Sequence, residues 1–88
     1  MKPKPMSLAE LREVVLRLRA LGSGTITVPQ AAEWLHIGKR TIYRRIEDGN
    51  LETVRTNRRG ITARSLLAYL KREYQGTHEF DFWSEMNL

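Results

Sequence analysis

An 88-residue chain has room for one domain around a small core and too little for a large catalytic scaffold. Its 15 Lys and Arg outnumber its 10 Asp and Glu, for a net charge of +5; Glu79, Asp81 and Glu85 fall in the last fourteen residues, which hold no Lys or Arg, so residues 1–74 set fifteen basic groups against seven acidic ones and carry +8, a balance that suits a polyanionic partner. The absence of cysteine excludes disulfides and thiolate metal sites, and His36 and His78 are too few and too far apart for a zinc site, so neither a metal nor a cofactor is expected.

The opening residues 1–6 read as a flexible, charged N-terminus with no apolar core of a leader after it. No stretch approaches the ~20 apolar residues that a membrane span needs, so a bacterial cytoplasmic, nucleoid-associated location is expected. In "SLAE", Ser7 and Glu10 have capping-box spacing and start a first helix. Leu8, Leu11, Val15 and Leu18 make its inward stripe, Arg12 and Arg19 point away, and Gly22 ends it. "GSGTITV" combines a glycine turn with β-branched residues that favour a short extended segment.

Thr27 and Gln30 repeat the capping-box spacing, with Pro29 in the first turn, so a second helix is expected over roughly 28–35 with Ala31, Ala32, Trp34 and Leu35 as packing groups. The three residues "HIG" then lead into a third helix, with Gly38 as N-cap and Gly49 as C-terminal stop. At about 100° per residue, Ile42 and Ile46 face inward together; Arg40, Thr41, Tyr43, Arg44 and Glu47 spread over the opposite side, with Arg45 on the flank. "LETVRTNRRGIT" reads as a β-hairpin with a basic, turn-prone tip at "NRRG". Thr62 caps a last helix with Leu66, Leu67, Leu70 and Tyr74 inward and Arg64, Lys71 and Arg72 outward.

Helix, short turn, second helix with a cationic outer face, then a basic hairpin is the layout of a winged helix-turn-helix. The expected fold is therefore mainly α with a small β-hairpin, a winged helix-turn-helix with an extra N-terminal helix over residues 7–74, followed by an acidic, aromatic tail over 75–88. The run "TVPQAAEWLHIGKRTIYRRIEDGNL" resembles the excisionase family, or recombination directionality factors, whose domains are similar to those of mercury-resistance-type regulators. The resemblance spans about residues 25–72 and rests on "AAEWL", "TIYRRIEDGNL", the basic wing and the Leu-rich closing helix. Where that family often has Gly in the interhelical turn and Ser at the following cap, this chain has His36 and Gly38. The resemblance implies binding to repeated sites beside an attachment site, DNA bending, cooperative assembly and integrase-mediated excision of a mobile element.

Lys39, Arg40, Thr41, Tyr43, Arg44 and Arg45 are the candidate recognition-helix contacts to double-stranded DNA, and Arg55, Asn57, Arg58 and Arg59 the candidate wing contacts. Phe80, Phe82 and Trp83 are candidate protein-interaction groups, folding back on the domain or engaging a neighbouring copy or an integrase. Trp34 and Tyr69 sit in apolar helical patterns and are expected in the core, and His36 is expected to be a turn residue. The chain has no Ser, His and acid constellation and no phosphate loop, so an enzyme is not expected. Control of transcription by the same domain is the alternative function, and a protein-interaction adaptor with incidental charge is a third.

Overall fold

A computed structural model of the protein describes residues 6–55 and 59–74. They form α1 (Leu8–Leu21), β1 (Thr25–Ile26), α2 (Val28–Leu35), α3 (Lys39–Glu47), β2 (Thr53–Arg55), β3 (Arg59–Thr62) and α4 (Ala63–Glu73). The architecture is mainly helical with a small three-stranded antiparallel sheet, a winged helix-turn-helix behind an added first helix.

The helix starts follow from local chemistry. The Ser7 N–H donates to Glu10 Oε1 and the Glu10 N–H donates to Ser7 Oγ, both at 3.2 Å, so two otherwise orphaned donors at the head of α1 are satisfied. Thr27 and Gln30 close the same box at α2, at 3.0 and 3.2 Å, and the Thr62 hydroxyl oxygen accepts from the Ser65 N–H at 3.2 Å to start α4. Gly22 ends α1 at φ +57°, a conformation that costs glycine little.

The core is built from Leu11, Val14, Val15 and Leu18 of α1, Leu66 and Leu70 of α4, Ile42 of α3, Ala31 and Leu35 of α2, and Ile26, Leu51 and Ile61 from the sheet and its approach. No polar or charged side chain among the described residues is buried with them. The α1 stripe differs from the expected one in two places: Val14 is buried, whereas Leu8 is 36% exposed. Met6 fills this end of the core instead, and its N–H donates to the Tyr74 hydroxyl oxygen at 3.0 Å. Met6 therefore packs with the domain although the sequence places it in the flexible N-terminus, and the contact sets the start of α1 beside the end of α4.

The sheet also exceeds the expected hairpin. Its order is β1–β3–β2, so the short segment at Thr25 and Ile26 is an outer strand pairing with Thr62 and Ile61, and β3 is central. Gly60 belongs to this central strand rather than to a turn: it lies opposite Val54, and a Cβ on it would sit 2.6 Å from Thr25 Oγ1 and 2.8 Å from Thr25 Cβ. Glycine is what lets β1 close on the wing.

Candidate nucleic-acid interface

The turn between α2 and α3 is Ile37 with its flanking caps, His36 and Gly38. His36 takes the left-handed conformation at φ +56°, and its N–H and that of Ile37 both return to the Ala32 carbonyl. Histidine is one of the side chains that visits this region more readily than most, so it fills the place where the resembled family often has glycine. The His36 imidazole is also tied to α1, with Nε2 3.2 Å from Glu10 Oε2. Hydrogen bonds from the Ser7 backbone and then its hydroxyl hold the Glu10 carboxyl below its ordinary range, and His36 adds to this. The turn before α3 thus touches the head of α1 through this contact.

On α3, Ile42 is fully buried and Ile46 half-buried, which orients the rest of the helix. Arg40, Tyr43, Arg44 and Glu47 line one shallow groove on the outer face. Lys39, Arg40 and Arg44 are exposed, as is Tyr43 at 46%, while Thr41 is half-buried beside them. Arg45 is engaged on the flank, with Nη1 2.9 Å from Asp48 Oδ2. No ion pair is formed by Arg40 or Arg44 among the described residues. The first turn of α3 has no acidic side chain, and Gly38 supplies no side-chain cap, so the positive end of the helix coincides with Lys39 and Arg40. Such a terminus favours a phosphate.

In the wing, Arg55 is exposed at the end of β2, and the strand register pairs its position with that of Arg59 in β3. Asn57 and Arg58 lie outside the described residues, as do Phe80, Phe82 and Trp83 of the tail. α4 turns its own cations outward, and Arg72 donates to the Asn50 side-chain oxygen, joining the end of α4 to the loop after α3.

Trp34 and Tyr69 pack on the core from its edge rather than inside it. The Arg17 guanidinium stands 5.6 Å from the centroid of the Trp34 ring, an arrangement that suits a surface cation–π contact. Burial pushes the Tyr69 hydroxyl above its ordinary range, Glu73 adds to this, and Arg45 opposes it. Around Trp34 the surface changes sign, since Glu10, Glu13 and Glu33 line a second groove with Arg17 and His36.

A helix held on the core by isoleucines, offering arginines and a tyrosine outward next to a basic hairpin, defines a DNA-binding winged helix-turn-helix. Residues 25–74, more than half of the chain, match the helix-turn-helix domain family, and the chain belongs to that family. No curated protein and no solved structure matches the chain significantly. Of the described residues, no helix is long and apolar enough to cross a membrane.

One contributor to the fold of the wing, Gly60, escapes a reading by helical periodicity. Gly60 has a recognisable signal, a glycine between β-branched segments, but its reason lies in Thr25. Glu47, which periodicity places on the outer face, lines the same groove as Arg40, Tyr43 and Arg44.

Proposed function

We propose that the protein is an excisionase-like recombination directionality factor: it binds duplex DNA at repeated sites near an attachment site, bends it, and favours integrase-mediated excision of a mobile element. The observation that carries the DNA-binding half is the outer face of α3, where Arg40 and Arg44 stand exposed opposite Ile42 and form no ion pair among the described residues. On this reading α3 enters the major groove, Arg40 and Arg44 meet guanine edges or phosphates, Lys39, Thr41, Tyr43 and Arg45 flank them, and Arg55, Asn57, Arg58 and Arg59 meet the backbone or a narrow minor groove. The recombination half rests on the family, which includes excisionase-like proteins, and on the residue order of 25–72.

Phe80, Phe82 and Trp83 of the acidic tail are assigned to contacts with a neighbouring copy or the integrase, because three large apolar groups in a segment too short for its own core favour a partner. The test has two stages. Duplex binding that weakens steeply with salt establishes the interface. An excision assay with the cognate integrase, run with and without the protein, then separates a recombination factor from a transcription regulator: stimulated excision supports the proposal, and promoter repression without any effect on excision replaces it with regulation.

A further inference from the structure

We infer that Glu47 is a base-reading residue of the α3 face, accepting a hydrogen bond from an exocyclic amino group, that of cytosine above all, next to the base pair met by Arg44. The inference rests on the DNA-binding reading of α3 and names part of its target. Glu47 stands seven residues after Arg40 and three after Arg44, and all three line the same groove with Tyr43. It is exposed and forms no ion pair among the described residues, although Arg44 is within one helical turn. Other acids at such spacing do pair: Asp48 holds Arg45 at 2.9 Å and Glu13 holds Arg17 at 3.0 Å.

Two fields act against Glu47 where it stands. It lies in the last turn of α3, at the negative end of the helix dipole, where a cation is favoured. On DNA it would also be repelled by phosphates. On the outer face of α3 a carboxylate turned to the major groove meets a complementary group only at a donor, and on the major-groove edges the donors are cytosine N4 and adenine N6. Adenine N6 has the acceptor N7 beside it, which repels an acceptor-only group; guanine offers N7 and O6, and thymine O4. The order of preference is therefore cytosine, then adenine, with guanine and thymine rejected. Three residues advance a helix by about 4.5 Å, and base pairs stack every ~3.4 Å, so the cytosine falls one to two base pairs from the contact of Arg44.

The experiment is equilibrium selection by the full chain from a randomised duplex pool, comparing wild type with Glu47→Ala, Glu47→Gln and Arg44→Ala, each checked by thermal melting. The wild type should discriminate cytosine from guanine at one position by about 5- to 150-fold, the range of a single good base contact. Glu47→Ala should flatten that position alone and tighten binding to unrelated duplex several-fold. Glu47→Gln should turn the same position toward adenine, since an amide both gives and accepts. A Glu47→Ala protein with the wild-type profile at every position overturns the inference and leaves the DNA-binding reading standing. A wild type with no preference anywhere overturns base readout by α3, and this inference with it.

Discussion

Replacing Arg44 with Ala isolates base readout from folding. Its side chain is exposed and holds no ion pair among the described residues, and at about 100° per residue it points almost directly away from the midpoint of Ile42 and Ile46. The substitution removes no buried surface and exchanges one good helix former for a better one, so stability should stay within about 0.5 kcal/mol of the wild type. Loss of a bidentate guanine contact, in contrast, costs about 1 to 3 kcal/mol, or roughly 5- to 150-fold in the ratio of specific to unrelated binding. Binding isotherms on a selected duplex and on its scrambled counterpart, at one salt concentration, give that ratio directly. A fall in both affinities by the same factor would show a phosphate contact only, and an unchanged ratio with an unchanged melt would remove Arg44 from direct readout.

The double replacement Arg58→Ala, Arg59→Ala should weaken binding to every duplex and reduce the log–log salt slope by about two, near one per lost phosphate contact; an unaltered slope would put the wing away from DNA. Gly60→Ala forces a Cβ to within 2.6 Å of Thr25 Oγ1 and 2.8 Å of Thr25 Cβ, and overpacking of this kind costs about 1 to 3 kcal/mol. Thr25→Gly should relieve much of that cost, so a double-mutant cycle read by thermal melts should be strongly non-additive; simple additivity would refute the contact. Deleting residues 77–88 removes Glu79, Asp81 and Glu85 with the three aromatics, and should leave single-site affinity unchanged or slightly higher while lowering cooperativity on tandem sites. A lower melting temperature with parallel loss of both kinds of binding would show instead that the tail packs on its own domain.

The parts of the fold that sequence reasoning recovered are those controlled by neighbours in the chain. Ser7 with Glu10, Thr27 with Gln30, and Thr62 place the starts of α1, α2 and α4 because each cap needs a partner only three residues on. The two isoleucines orient α3 by periodicity alone, which leaves Arg40, Tyr43, Arg44 and Glu47 outward. The failures are long-range. Pairing of Thr25 with Thr62 joins distant segments, so the short extended segment is legible locally whereas its place in the sheet and the reason for Gly60 are not. Leu8 fits the α1 stripe by spacing, but a helical wheel carries no information on Met6, which reaches the Tyr74 hydroxyl and fills that end. Arg45 is a different kind of omission: Asp48 is three residues away, and the pair was legible at that spacing.

What distinguishes α3 from the other helices is its uncapped start. α1, α2 and α4 each begin with a hydroxyl that caps the first turn, whereas α3 begins with Gly38 and no side-chain cap. Lys39 and Arg40 then stand at its positive end and Glu47 at its negative end, each disfavoured by the helix dipole by about 0.3 to 1 kcal/mol at an exposed site. Arg44 and Arg45 in the last turn offset part of this, but the helix depends mainly on docking Ile42 and Ile46 against a core supplied by the other elements. Local choices that conflict with stability concentrate where a ligand must satisfy them. On the DNA-binding reading the conflict resolves on binding: a phosphate completes the uncapped turn, the arginines find anions, and the carboxylate finds the amino group of a base. On that reading α1, α4 and the sheet supply the core on which α3 docks, and DNA supplies what its exposed face lacks.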